Sequence, residues 1–181
     1  MERLMSPWRL RYVSSGRRNE EGCVFCTAFR GRNDRARLVL FRGAYNFVIL
    51  NKFPYNNGHL MIVPYAHVRS LQDTRDEALV EMTLLAARCE AILRRIYRPT
   101  GINLGMNLGR SAGAGIEEHY HLHIVPRWDG DTNFMTTIGG TRVIPEALRV
   151  SYRRLRPMFR QPAKKTEAAI GRRSVRSRSA R

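Results

Sequence analysis

The sequence is poor in acidic residues and in cysteine, and it has no long apolar run. Its 181 residues carry 32 basic and 15 acidic side chains, a formal net charge of +17. A surface this basic favours polyanions such as nucleotides or nucleic acids. No run approaches the roughly eighteen apolar residues of a membrane helix, and the N-terminus lacks the apolar core of a signal peptide. We therefore expect a cytoplasmic location and no membrane partner.

The three cysteines do not indicate a disulfide framework, because an odd number with one close pair is typical of a reducing compartment. Cys23 and Cys26 form a CxxC pair, which offers two thiolates at a spacing compatible with zinc. The pair is only half of such a site, so two more ligands must come from elsewhere. Cys89 lies on the apolar stripe of a predicted helix and is predicted to pack in the core.

The chain divides into three predicted segments. Residues 1–22 form an N-terminal arm, residues 23–160 the domain and residues 161–181 a basic tail. From residue 164 onward there are seven basic residues and one acid. We predict that this tail is disordered and able to contact polyanions.

The periodicity of the domain predicts an α+β fold. The predicted strands cover residues 38–42, 45–50, 59–64 and 102–108, the first two as a hairpin. A long helix is predicted at 74–98, because Thr74 and Glu77 suggest a capping box and apolar residues recur at spacings of three and four. A second helix is predicted at 145–159, with Pro145 in its first turn. Its arginines, Arg149, Arg153, Arg154 and Arg156, are predicted to face solvent.

Three of the five histidines, His119, His121 and His123, alternate with apolar residues. Alternate residues of a strand face the same side, so the imidazoles would form a row while Tyr120 and Leu122 pack on the core. Imidazoles serve as nucleophiles, proton shuttles and metal ligands. The predicted strand is therefore catalytic, metal-binding or both, and incidental histidines are the alternative.

Two neighbouring segments add to this strand. The glycine-rich loop from Gly109 to Gly115 leads into it and can point N–H groups at a phosphate. Trp128 follows it, and the sequence alone leaves open whether the indole packs in the core or forms a platform for a base.

The run from His119 to Val125 resembles the motif of the histidine triad (HIT) superfamily, three histidines alternating with apolar residues. The resemblance covers roughly residues 20–160 and includes the order of the elements. Further matching residues are Asn51, Gly58, His59, His67 and Asn107. The sequence is most similar to the bacterial diadenosine tetraphosphate phosphorylase-like branch, through residues 53–56, 113–116 and 125–134. The fold implied is an antiparallel sheet with one long helix and a C-terminal helix, in a homodimer.

The chemistry implied by this resemblance is nucleotidyl transfer, with an adenine nucleotide favoured as substrate. His121 would attack the α-phosphate, and water or inorganic phosphate would cleave the nucleotidyl-histidine intermediate. His123 and His59 would contact the phosphate oxygens. No metal is needed for this chemical step. The implied substrate-binding residues are Asn51, Asn107, Gly113, Ala114, Gly115, Ile116 and Trp128.

Some members of the superfamily and related uridylyltransferases also bind a structural zinc through a CxxC pair and two histidines. The matching residues are Cys23, Cys26, His67 and His119, a closed Cys₂His₂ set. The alternative is a vestigial CxxC pair and a surface histidine at position 67.

One position departs from the hydrolases of the superfamily, many of which carry glutamine four residues before the first triad histidine. Gly115 stands there, which removes a side chain able to orient water and favours a phosphorylase. Three alternatives remain open. They are a HIT-type hydrolase of adenosine phosphoramidates or other nucleoside monophosphate derivatives, a non-catalytic nucleotide- or nucleic-acid-binding protein, and a triad that itself binds metal.

Overall fold

The computed structural model describes residues 22–131 and 146–161. Most of the predicted arm and tail, and Pro145, lie outside the described residues. The strands are β1 (Val39–Arg42), β2 (Asn46–Leu50), β3 (Leu60–Pro64), β4 (Gly101–Gly105) and β5 (Leu122–Arg127), and the helices are α1 (Val24–Arg30), α2 (Asp76–Tyr97) and α3 (Leu148–Leu155). Short 3₁₀ helices cover Leu71–Asp73, Arg110–Ala112 and Arg156–Phe159.

The five strands form one antiparallel sheet in the order β1-β2-β3-β5-β4. β5 therefore lies between β3 and β4, with His123 opposite Met61 on one side and Gly105 on the other. This topology confirms the predicted α+β fold, including the hairpin of β1 and β2.

Two apolar clusters cover the two faces of the sheet. Helices α2 and α3 pack on one face, where Met82, Leu93, Tyr120 and Leu155 share one buried cluster. Helix α1 packs on the other face, where Phe25 shares a second cluster with strand residues. The sheet thus separates α1 from α2 and α3.

The apolar stripe predicted for the long helix is confirmed, because its core positions are buried against the sheet. Cys89 is fully buried on this stripe, as predicted, and burial raises the pKa of its thiol. Among the described residues, no helix has the length and apolar character needed to cross a membrane.

The predicted capping box of α2 is wrong. Helix α2 begins at Asp76 after Arg75, and no side chain caps it. The hydroxyl of Thr74 is hydrogen-bonded instead to Ser70 O (3.0 Å) and to the Tyr120 hydroxyl (3.1 Å). The hydroxyl therefore bonds to the preceding turn and to a tertiary partner instead of capping α2.

Other predicted boundaries and exposures also need correction. β5 begins at Leu122, so His119 and His121 precede the strand rather than lying in it. The main-chain N–H of Tyr120 donates to Val68 O at 2.9 Å, away from the strand ladder. β4 ends at Gly105, three residues before the predicted end. Arg156 is half-buried rather than fully exposed, and its guanidinium donates to Leu40 O.

Gly58 sets the entry into β3. Its φ is +73°, and a Cβ there would lie 2.8 Å from Cε2 of Tyr97. Both the backbone conformation and the close approach require glycine. The turn delivers His59 to the start of β3, fully buried beside β5.

Candidate active site and metal centre

A main-chain carbonyl fixes the tautomer of His121. His121 Nδ1 lies 3.2 Å from the carbonyl oxygen of His119, and a carbonyl can only accept, so Nδ1 carries the hydrogen. The neutral ring then has a lone pair on Nε2. Burial lowers the pKa of His121, which keeps the ring neutral at pH 7. His121 is therefore poised as a nucleophile.

The hydrogen bonds of His59 and His123 fix the tautomers of both rings. The main-chain N–H of Tyr55 donates to His59 Nδ1 at 3.1 Å, so the proton of neutral His59 is on Nε2. That atom lies 2.9 Å from His123 Nδ1. Nδ1 of His123 therefore accepts, and neutral His123 keeps its own proton on Nε2. The outer nitrogen of His123 is a donor, while that of His121 is a lone pair.

His59 is held entirely within the protein. Its side chain is buried, and its Nδ1 lies 3.3 Å from Asn51 Nδ2 as well as near Tyr55. Asn51 Oδ1 in turn accepts from the main-chain N–H of Phe53 at 2.9 Å. These contacts make Asn51 and His59 supports for His123.

Burial lowers the pKa of His123 to about 4, with a smaller contribution from His121. Burial also lowers the pKa of His119 to about 4. The three triad rings are thus uncharged at neutral pH, because each cation would be poorly solvated in the protein interior.

His119 faces away from the other two triad rings, toward the thiols. Its Nε2–H donates to Pro64 O at 2.9 Å, which leaves the Nδ1 lone pair 3.3 Å from Cys23 Sγ and 3.7 Å from Cys26 Sγ. Nδ1 of His67 lies 3.3 Å from Cys26 Sγ. The structure therefore brings the four predicted metal ligands together.

The distances in this cluster fit a tetrahedral metal. The four ligand atoms lie within 4.8 Å of one another. With Zn–S near 2.3 Å and Zn–N near 2.0–2.1 Å, a tetrahedral zinc separates sulfur from nitrogen by about 3.6 Å. The observed sulfur–nitrogen contacts of 3.3 to 3.7 Å bracket that value. The hydrogen bond from His119 to Pro64 O is the outer-sphere contact typical of a ligating histidine.

The triad does not converge on a metal of its own. Within residues 22–131 and 146–161, the one group of three or more potential ligands takes only His119 from the triad. The alternative of a three-histidine metal site has no support in this arrangement.

Phe25 lies between the Cys–His cluster and the ring of His121. It lies between the two cysteines at the start of α1, and its side chain is buried. Its ring centroid is 5.4 Å from that of His119 and 4.8 Å from that of His121. The helix that supplies the thiols therefore also supplies one wall of the His121 site.

Two N–H groups of the glycine-rich loop are hydrogen-bonded within the loop itself. The N–H of Gly113 donates to Arg110 O at 2.8 Å, and that of Ala114 to Gly109 O at 3.3 Å. Of the four predicted phosphate donors, only Gly115 and Ile116 keep N–H groups without a partner among the described residues. Asn107 Nδ2 lies 3.5 Å from Gly113 O, so this asparagine borders the loop.

Trp128 lies against the end of α2. Its indole N–H donates to Tyr97 O at 3.4 Å, and the two rings meet edge to face with centroids 6.5 Å apart. These contacts are those of a packing residue. A contact between Trp128 and a nucleotide stays a prediction.

A polar clamp ties the loop before His59 to the end of β5. Asn56 Nδ2 donates to Pro126 O at 3.0 Å and to the carboxylate of Asp131 at 2.7 Å. Arg127 binds the same carboxylate through two nitrogens, both at 2.6 Å, and this pairing lowers the pKa of Asp131. The clamp fixes the loop that carries the Tyr55 N–H.

Sequence reasoning missed Phe25 and Tyr55 as parts of this site. Phe25 could have been suspected, because an aromatic residue inside a CxxC pair follows the cysteines wherever they bind. Tyr55 takes part through its main-chain N–H, which donates to His59, and through its ring, whose centroid lies 4.8 Å from that of His59. The N–H contact depends on the backbone and has no signal in the identity of the residue.

Comparison with known proteins agrees with this geometry. Residues 33–130 match the model of the HIT domain. A relative described as an AP-4-A phosphorylase, from Mycobacterium tuberculosis, is 39% identical over 169 residues, which cover 90% of this chain and 87% of the relative.

Solved structures of histidine triad proteins are also similar to this chain. A Zn-bound histidine triad family protein from Mycobacterium smegmatis has a TM-score of 0.63 at 28% identity, covering 77% of this chain and 94% of its own. A hypothetical histidine triad nucleotide-binding protein from Sulfolobus tokodaii has a TM-score of 0.61 at 22% identity, covering 76% of this chain and 92% of its own, and shows the shared fold.

Proposed function

The chain belongs to the HIT domain family of nucleotide-processing proteins, and from this premise we propose that it cleaves dinucleoside polyphosphates through a covalent nucleotidyl-histidine intermediate. The relative from M. tuberculosis described as an AP-4-A phosphorylase supports diadenosine tetraphosphate as the substrate. The favoured acceptor is inorganic phosphate.

The observation that carries this proposal is the hydrogen bond from His121 Nδ1 to His119 O. In the first step His121 Nε2 attacks the α-phosphorus, a P–N bond forms, and the bond to the polyphosphate leaving group breaks. With diadenosine tetraphosphate the leaving group is ATP. The ring then carries both a phosphoryl group and the Nδ1 hydrogen, so it is cationic, and the carbonyl dipole of His119 stabilises that charge.

In the second step an oxygen of inorganic phosphate attacks the same phosphorus and the P–N bond breaks. The products are ADP and free His121. Two displacements of this kind each have a lower barrier than one direct transfer. With water as acceptor the second product would be AMP, and Gly115 supports phosphate because it offers no side chain to orient water.

The surrounding groups have separate roles in this proposal. His123 donates its Nε2–H to a phosphate oxygen or to the leaving group, and His59 holds that tautomer from behind. The free N–H groups of Gly115 and Ile116 supply further donors. Asn51 and Asn107 border the nucleotide, and Trp128 is the candidate platform for the base.

The metal centre is structural in this proposal. Zinc held by Cys23, Cys26, His67 and His119 would have no open coordination position, so it serves to fix α1 and the backbone of His119. The Zn-bound neighbour from M. smegmatis supports the choice of metal.

A second candidate activity is hydrolysis of adenosine phosphoramidates. The observation that favours it is the Nε2–H of His123, since an amine leaving group needs a proton more than a polyphosphate does. Both substrates would form the same intermediate on His121.

The test is product analysis with diadenosine tetraphosphate and with an adenosine phosphoramidate, each with and without inorganic phosphate. Phosphate-dependent release of ADP and ATP supports the phosphorylase, and AMP formed without phosphate supports a hydrolase. His121→Ala should lower kcat/KM by more than about a thousandfold. Arg32→Gln, a change at an exposed loop position, is the control and should leave kcat/KM unchanged.

Rapid quenching with substrate labelled at the α-phosphate tests the intermediate directly. The label should appear on the wild-type protein and not on His121→Ala. If no adenylyl substrate is turned over, the protein is a non-catalytic nucleotide-binding member of the family and the proposal fails.

A further inference from the structure

The arginines of the α3 segment have two different environments. Arg154 pairs with Glu146 at 2.8 Å and donates to Ile96 O at 3.0 Å, and Arg156 donates to Leu40 O and pairs with Asp34 at 3.4 Å. These two hold α3 to the domain.

The other three arginines of the segment are exposed: Arg149, Arg153 and Arg160. Their side chains make no ion pair or hydrogen bond with any residue of 22–131 or 146–161. Arg149 and Arg153 are four residues apart in the helix, so they are neighbours on one face, about 6 Å apart along the axis. Nothing in the packing of α3 requires them.

The end of α2 extends this basic surface. Arg154 reaches Ile96 O, which places α3 beside the last turn of α2, and that turn is followed by the exposed Arg98. Arg95 approaches Oε1 of Gln161 at 3.5 Å, and Arg88 donates to Gln161 O at 2.8 Å. Glu146 is the one acid among residues 146–161, and it is already paired.

The surface lies on the opposite face of the sheet from the histidine site. Tyr152 and Leu155 of α3 are buried with the residues of α2, whereas Phe25, which contacts His121, is buried in the cluster on the other face. The basic surface is therefore not a wall of the catalytic site.

We propose that Arg149, Arg153 and Arg160, together with Arg95 and Arg98, bind the phosphate backbone of a single-stranded nucleic acid. Guanidinium groups suit this role, because their planar donors match phosphate oxygens and carry charge at every physiological pH. The sequence after Gln161 adds seven basic residues and one acid, so the positive charge continues along the chain from this surface.

The partner chemistry follows from what the surface offers. Tyr152 and Leu155 of α3 are buried in the core, and Leu148 and Val150 are half-buried, so the helix exposes no apolar face that could insert into a lipid bilayer. Eleven residues separate Arg149 from Arg160, across α3 and the 3₁₀ helix that follows it. At a rise of about 1.5 to 2.0 Å per residue they span about 16 to 22 Å, which exceeds the reach of one mononucleotide. A polymer of phosphates can contact all of these arginines at once.

The test is binding of a fluorescein-labelled 20-nucleotide single-stranded RNA to the full chain, followed by anisotropy at several salt concentrations. The double variant Arg149→Gln/Arg153→Gln removes two charges from the surface. The matched control, Arg32→Gln/Arg35→Gln, removes two exposed charges from the loop after α1. Both variants have the same net charge, and both should retain wild-type turnover of the nucleotide substrate.

We expect the α3 variant to bind about tenfold more weakly near 0.15 M salt, with the slope of log K against log salt reduced by about 1.4, or 0.7 per lost phosphate contact. The control should bind within about twofold of wild type. Addition of AMP should not displace the RNA, because the nucleotide site is on the other face.

Three results overturn the proposal. Equal losses in both variants would show that only net charge matters, and displacement by AMP would place the RNA in the catalytic site. Binding to anionic phospholipid vesicles without binding to RNA would identify a membrane surface instead.

Discussion

The main-chain carbonyl of His119 accepts the Nδ1–H of His121 at 3.2 Å, while the ring of His119 faces two thiols. One residue therefore contributes its side chain to the metal cluster and its backbone to the tautomer of the neighbouring ring. A metal bound by the His119 ring would therefore also fix the carbonyl that orients His121.

Loss of the proposed structural zinc should impair His121 although zinc takes no part in the proposed chemical step. Cys26→Ser should lower bound zinc from about one per chain to near zero. Because the His119 carbonyl is then less fixed, kcat should fall about 10- to 100-fold, the range for outer-sphere changes at metal sites. Elemental analysis and steady-state kinetics measure both effects.

Cys89→Ala is the matched control for that experiment, since Cys89 is buried in the apolar cluster between α2 and the sheet and is not one of the four cluster ligands. It should keep its zinc and its kcat while losing some stability. Full activity in metal-free Cys26→Ser protein would show that the cluster does not help to orient His121.

The tautomers derived from the hydrogen bonds can be observed directly. Long-range ¹H–¹⁵N spectra at pH 7 should show His121 protonated on Nδ1, and His59 and His123 protonated on Nε2. His59→Asn removes the ring that donates to His123, so His123 should become a mixture of tautomers while His121 is unchanged. A single His123 tautomer in that variant would contradict the proposed role of His59.

Phe25 should position His121 through ring contact. Phe25→Leu keeps most of the apolar volume but removes the aromatic face 4.8 Å from the His121 centroid. We expect kcat to fall about tenfold at nearly constant KM, a loss of about 1.4 kcal/mol in the transition state, together with a shift of the His121 ring signals. Zinc content should be retained.

Phe29→Leu is the control for Phe25, because Phe29 is in the same helix but contacts the rings of Phe47 and Tyr65. It should cost a similar amount of stability and leave kcat unchanged. Equal losses of kcat in the two variants would mean that Phe25 acts only by stabilising α1.

Much of this site could be predicted from the sequence because its residues form local patterns. The alternation of His119, His121 and His123 and the Cys23–Cys26 pair each have a spacing that chemistry constrains. The prediction that these residues meet His67 is also confirmed. It rests on the resemblance to the family, which covers most of the domain.

The parts that sequence could not supply depend on tertiary contacts. Thr74 has the pattern of a helix cap, but its hydroxyl bonds to Ser70 O and to the hydroxyl of Tyr120, 46 residues away. His59 was expected to touch substrate, yet its ring nitrogens are directed to Tyr55 and His123. The hydrogen-bond partners of a main-chain N–H leave no trace in residue identity.

Acid should destabilise the protein through His123. Burial lowers its folded pKa to about 4, whereas an unfolded histidine titrates near 6.5. As pH falls from 6.5 to 4, His123 becomes protonated in the unfolded state but stays neutral in the folded state. The free energy of unfolding therefore decreases across that window. At about 1.4 kcal/mol per pH unit, the loss is about 3 kcal/mol.

Urea unfolding of wild type and His123→Asn at pH 7 and pH 4 isolates this contribution. His123→Asn leaves the other titratable groups of the protein unchanged, so the difference between the two losses reports His123. Identical pH dependence in the two proteins would refute the assignment.

Glu81 should be the most important carboxylate for stability in the described fold. It accepts hydrogen bonds from the main-chain N–H groups of Ala44, Tyr45 and Asn46 at 2.6, 2.8 and 2.8 Å and from Asn46 Nδ2 at 2.9 Å. It thus joins α2 to the turn between β1 and β2. Glu81→Gln replaces one accepting oxygen with a donor, so we expect a loss of about 2–3 kcal/mol at pH 7.

Glu90→Gln is the control, because Glu90 makes only an exposed pair with Arg94, and its loss should cost less than about 0.5 kcal/mol.

The contribution of Glu81 to stability should also depend on pH. Burial alone would raise its pKa, but the bonds from Asn46 and the three N–H groups lower it on balance. Its stabilisation is therefore present above the unfolded pKa and lost as pH falls through the folded one. The difference between wild type and Glu81→Gln in urea unfolding should shrink from pH 7 to pH 3, and a constant difference would show that charge on Glu81 is irrelevant.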